Sequence, residues 1–144
     1  ERQLAPRLKK ERDMSLKVLI MDPDWRFNRQ AVSYLESRAH LVVSENRLPE
    51  ALEQAKHWKP DLVILASELA QPAMPALYDL EPRPAILLTG QMERYDVAWK
   101  AWQKGGDELL MKPVFRASEL HEAVVLALEN SVAGKRKVRS AASA

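Results

Sequence analysis

Chemistry in this chain, if there is any, belongs to the polar side chains that end short apolar runs. Asp22 ends residues 16–21, with Asp24 two positions on; Thr89 ends residues 85–88, and Lys112 ends residues 109–111. Carboxylates are oxygen donors for hard cations, and an ammonium group is a counter-charge for an acid or another anion. The run most central to the pattern is Leu62-Val63-Ile64-Leu65, entered through Pro60-Asp61, and the residue it delivers is Ala66. A methyl group is neither nucleophile, ligand nor acid. The place where a reactive group would be most useful therefore lacks one.

The elements that must position these residues alternate in type. Residues 16–21 read as a strand. Asp24 then caps a helix to about residue 38, with Phe27, Ala31, Tyr34 and Leu35 on one stripe. Residues 41–44 read as a second strand, and 48–58 as a helix with Pro49 in its first turn and Leu48, Ala51, Leu52 and Ala55 inward. The third strand, 62–66, is short, branched and apolar throughout, as expected of a parallel strand buried on both faces. Pro72, Pro75, Pro82 and Pro84 punctuate the segment after it, leaving room for at most two helical turns near 76–80. Residues 85–89 give a fourth strand, and 92–104 a helix stopped by Gly105-Gly106. Residues 109–111 give a fifth strand, and Ser118 caps a last helix to about 131. Five strands alternating with helices specify an α/β fold, a doubly wound parallel sheet covered on both faces. Chemistry on such a sheet gathers at the carboxyl ends of its strands.

Composition narrows the function. Without cysteine there is no disulfide framework or thiolate metal site, and His40, His57 and His121 are scattered. No apolar run approaches the ~20 residues of a membrane helix, which points to a cytoplasmic setting without membrane contact. Residues 1–15 read as an extension, helical from Arg7 to Asp13 or disordered. Residues 16–131 read as the domain, and 132–144 as a basic tail or linker. The net charge of +2 hides basic ends on an acidic domain, with Lys135, Arg136, Lys137 and Arg139 in the tail and no acid beside them. Four such charges without interleaved aromatics support only weak, salt-sensitive contact with nucleic acid.

Val18-Leu19-Ile20-Met21-Asp22, Pro60-Asp61-Leu62-Val63-Ile64-Leu65, Ile86-Leu87-Leu88-Thr89-Gly90 and Gly105-Gly106-Asp107-Glu108-Leu109-Leu110-Met111-Lys112-Pro113 together resemble the receiver domain of bacterial response regulators. The resemblance implies a flavodoxin-like strand order 2-1-3-4-5. It also implies an aspartate phospho-acceptor at the end of the third strand, paired acids holding Mg²⁺ after the first, a hydroxyl after the fourth and a lysine after the fifth. Here the acceptor position holds Ala66, the second acid position holds Pro23, and the aromatic switch position on the fifth strand holds Leu109. Asp22, Asp24, Thr89 and Lys112 are remnants of the pocket, able to hold Mg²⁺ weakly at most through Asp22 and Asp24. Glu68 falls where a loop carbonyl serves in that family, a poor substitute acceptor. The chain thus resembles a pseudo-receiver, without cofactor or catalysis.

Each remnant also has a purely structural use. Lys112 can pair with Asp22 or point to solvent, the ion pair being preferred, and Thr89 can bond to nearby backbone. Trp25 reads as a surface residue on the first helix. With the pocket inert, function moves to a surface. Trp99 and Trp102 share one side of the fourth helix, and one of them should pack on the sheet. The last helix, with Val125 and Leu128, is more apolar than a covering helix needs. These features predict a protein partner or a homodimer through the fourth and fifth helices.

Other classes compete. Asp22-Pro23-Asp24 also resembles the opening of haloacid-dehalogenase-type phosphatases, in which Asp22 would be the nucleophile and Asp24 the general acid. Against it, Arg26 replaces a small residue, no acid pair follows Lys112, and the chain is short. Flavin or nucleotide binding is disfavoured by an acidic first turn that holds Pro23.

Overall fold

The computed structural model describes residues 15–134, so the amino-terminal extension before Ser15 and the basic tail with Lys135, Arg136, Lys137 and Arg139 lie outside the described residues. Five strands, β1 (Lys17–Met21), β2 (Leu41–Ser44), β3 (Leu62–Ala66), β4 (Ala85–Gln91) and β5 (Glu108–Lys112), form one sheet in the order β2-β1-β3-β4-β5. Every pairing is parallel. Five helices connect or follow them: α1 (Trp25–Ser37), α2 (Leu48–Trp58), α3 (Ser67–Tyr78), α4 (Tyr95–Lys104) and α5 (Ala117–Ala133). β3 sits in the middle of the sheet and is buried along its whole length.

The two-residue period of the strands divides the interior into two layers. Val18, Ile20, Leu62, Ile64, Ala85 and Leu87 pack under α1 and α5, against Phe27, Ala31, Leu35, Leu120, Val124 and Leu128. Leu19, Met21, Val63, Leu65, Ile86 and Leu88 pack on the other face under α2, α3 and α4, against Ala51, Ala55, Ala70, Ala73 and Leu77. Small residues let these three helices lie close on their face. Gly90 serves the same end, since a Cβ there would collide with the Cβ of Ala98.

Three local expectations need correction. α3 is a twelve-residue helix that runs through Pro72 and Pro75, not two turns near 76–80. Its buried stripe of Ala70, Ala73 and Leu77 anchors it on the sheet, and that packing outweighs the two backbone bonds the prolines remove. Residues 92–104 are not one helix: a 3₁₀ turn (Met92–Arg94) precedes α4. Finally, Ser118 lies inside α5 and does not cap it. Arg116 holds the cap position without a side-chain bond, and the Glu119 carboxylate reaches back to accept from the Phe115 N–H at 3.1 Å. β4 also extends two residues past Thr89, and α5 two residues past 131.

Candidate functional site

Alternation places Asp22, Ala66, Thr89 and Lys112 together. Each falls in phase with the residues of its strand that face α1 and α5, and β3 and β4 bring Ala66 directly opposite Thr89. Asp22 comes two residues after Ile20, and Lys112 two after Leu110, on that same face. All four are buried: Ala66 and Thr89 fully, Asp22 to 1% exposure and Lys112 to 5%.

What assembles there is a closed ion pair. Lys112 Nζ donates to Asp22 Oδ2 at 2.9 Å and lies 3.2 Å from Oδ1. The Thr89 hydroxyl donates to Asp22 Oδ2 at 2.6 Å, and the Asp24 backbone N–H donates to Oδ1 at 3.0 Å. Both carboxylate oxygens of Asp22 are therefore engaged by the chain itself. Thr89 does not turn to the nearby backbone with its side chain, because a buried carboxylate within reach is the stronger acceptor. Its carbonyl instead accepts from the Ser67 hydroxyl. The Lys112 ammonium lies over the Phe27 ring, with Nζ 5.4 Å from its centroid.

Asp24 has two tasks. Its Oδ1 caps α1 by accepting from the N–H groups of Arg26 (3.1 Å) and Phe27 (3.2 Å), while Oδ2 lies 3.4 Å from Lys112 Nζ. Partial burial pushes its pKa up, but the Phe27 N–H, the Lys112 charge and hydrogen bond, and the Arg26 N–H together hold it below the ordinary 3.8. The Asn28 amide closes the turn by donating to the carbonyls of Asp22 and Asp24.

These residues do not fit a divalent cation. Mg²⁺ needs several free oxygens in octahedral array. Pro23 and Ala66 contribute no side-chain oxygen, Asp22 is saturated, and one oxygen of Asp24 is held by a helix end. Among the described residues no group of three or more acids and histidines is placed to hold a metal ion.

The remaining predicted residues are distributed more widely. Leu109 is half-buried and faces the α2, α3 and α4 layer. Glu68 stands exposed in the first turn of α3 and not in a loop, because the helix starts directly after Ala66. Trp25 is 64% exposed, with the Arg26 guanidinium 5.4 Å from the centroid of its ring. Trp102 packs partly into the core, and Trp99 stands over it edge-on, with ring centroids 5.5 Å apart. Tyr95 stacks on Trp99 with the rings 17° from parallel, and both are exposed. On α5 the expectation was displaced: Leu128 is fully buried and Val125 half-buried, while Leu126 is the residue that reaches solvent. Residue types alone mark α5 as unusually apolar but do not fix its rotation.

No protein-family profile matches the sequence, and no curated protein sequence matches it. Solved structures do. A signal receiver domain from Vibrio parahaemolyticus superimposes with a TM-score of 0.68 at 19% identity, covering 87% of this chain and 98% of that one. A response-regulator receiver domain from Bermanella marisrubri gives 0.67 at 18% identity, over 77% and 96% of the two chains. NtrX from Brucella abortus, solved with ADP, gives 0.69 at 22% identity over 87% of this chain; the match spans only 28% of NtrX. With strand order, parallel register and helix layers in agreement, the chain has the flavodoxin-like fold of response-regulator receiver domains.

Proposed function

We propose that this chain is a receiver-like signalling module that works by contact with proteins, without phosphorylation and without catalysis. The observation that carries the reading is Ala66, buried at the end of β3 opposite Thr89, beside an Asp22–Lys112 pair that already satisfies itself. No carboxylate occupies the position where an acyl phosphate would form. Lys112 and Thr89, which in the resembling family serve the phosphoryl group, here neutralise and bond Asp22. A phosphatase reading is not favoured. Its nucleophile would be Asp22, held on both oxygens, and its general acid would be Asp24, whose pKa is lowered and which caps a helix.

The surface best suited to contact is the flank of the sheet at β5. This edge strand lies between α4, which exposes Tyr95 and Trp99, and α5, which exposes Leu126. Stacked aromatics at a sheet edge are the kind of rigid apolar anchor that dominates interfaces. We assign to this flank a homodimer. Sedimentation of the full chain, with and without a small phosphodonor and Mg²⁺, tests both halves of the reading. A concentration-dependent dimer is expected, weakened by Trp99→Lys and indifferent to the phosphodonor. A strict monomer at high concentration would remove the dimer. An equilibrium that moves with the phosphodonor would remove the phosphorylation independence.

A further inference from the structure

A second surface lies on α4 about half a turn around from the tryptophans. There α3 and α4 leave a groove of about 470 Å³. Its apolar lining comes from Ala70 and Met74 on α3 and from Val97 and Ala101 on α4. Arg94, Lys100 and Lys104 stand along its α4 side, all exposed. At 1.5 Å per residue these three cations are strung over roughly 15 Å. The α3 side has a different chemistry. Pro72 and Pro75 have no N–H, so the carbonyls of Glu68 and Gln71 lack their intrahelical donors, and both residues border the groove.

We propose that this groove docks an acidic amphipathic helix of a partner protein. The inference is separate from the loss of the acceptor and from dimerisation at β5. An apolar trough with a cationic rim is complementary to a helix that has an apolar stripe flanked by glutamates or aspartates. Spread cations favour an extended ligand with several acids over a small molecule with one anionic head. The chain's own ends are unsuited as occupants, since residues 135–139 carry four basic side chains and no acid, and residues 1–13 carry more bases than acids. Single-stranded nucleic acid would want aromatic faces for its bases, and no aromatic residue lines the groove.

The test is an NMR titration of the full, isotope-labelled chain. The probe is a synthetic helical peptide of roughly 18 residues, long enough to hold some helix alone, with a leucine stripe bordered by glutamates. Saturable shifts are expected at Met74, Val97 and Ala101, fading as salt is raised. Lys100→Glu with Lys104→Glu should weaken binding about tenfold, since two favourable pairs become repulsions. Lys100→Arg with Lys104→Arg should bind like the parent. Near-ultraviolet circular dichroism of the four tryptophans checks that each variant is folded. Several results would overturn the proposal: no saturable shift, shifts confined to the Tyr95–Trp99 flank, or a charge-reversed variant that binds as well as the parent. Equal binding by a peptide with lysines for glutamates, or with serines for leucines, would do the same. So would an oligothymidylate that occupies the groove when the acidic peptide does not.

Discussion

Asp22 is held by Lys112, Thr89 and the Asp24 N–H inside a closed site, and the cost of opening it can be measured. Lys112→Met leaves a buried carboxylate without its counter-charge, and a loss of about 3–5 kcal/mol in urea unfolding is expected. Adding Asp22→Asn to that variant should recover much of the loss, because no uncompensated charge remains. If Lys112→Met alone were neutral, the pair would not be the closed unit described. Asp24 gives a pH signature. Its folded pKa lies below 3.8, so the unfolded chain takes up a proton first as the solution is acidified. Its contribution is complete above the ordinary value and is lost as pH falls through the folded one. Asp24→Asn, still a competent cap, should therefore lose that contribution at neutral pH and converge on the parent as pH falls below the ordinary carboxylate value through the folded one, which flattens that part of the acid limb. An unchanged acid limb would show that the Phe27, Lys112 and Arg26 contacts do not matter to the carboxylate. Ala66, Asp22, Thr89 and Lys112 were legible in the sequence because each ends a recognisable apolar run. The partner of Thr89 was not, since spacing along the chain says nothing of which hydroxyl turns toward which acid.

At the scale of elements, strong periodic patterns were readable and exceptions to local rules were not. β2, α2 and β3 fall where their residue types put them. α3 violates the rule against interior proline, and only its burial against the sheet at Ala70, Ala73 and Leu77 explains why it persists. Pro72 and Pro75 are exposed, so replacing either with alanine removes little packing and restores a backbone donor. Pro72→Ala should stabilise the protein by about 1–2 kcal/mol, the regained helix bond offset in part by a freer unfolded chain. Destabilisation in the same urea measurement would mean that the proline shapes α3 in a way the helix needs. The rotation of α5 was the other hidden quantity. An almost uniformly apolar stretch, Ala123-Val124-Val125-Leu126-Ala127-Leu128, has no strong stripe, so which residues are buried is decided by the sheet and not by the helix.

The whole molecule combines a receiver fold with a pocket whose parts satisfy one another. Its sheet order is the one the receiver resemblance implied, and structures of several receiver domains share the fold at identities near 20%. Among the described residues no helix is long and apolar enough to cross a membrane. The two proposed contact surfaces are the Tyr95–Trp99 flank beside β5 and the cation-edged groove between α3 and α4. They occupy different sides of α4, so the two proposals can be tested independently. The most direct measurement is an intact mass spectrum of the full chain after incubation with phosphoramidate and Mg²⁺, paired with its amide NMR spectrum. The expected result is an unchanged mass and an unchanged spectrum. A stable phosphoryl adduct on any carboxylate near Ala66, with shifts spreading to α4 and β5, would contradict the account.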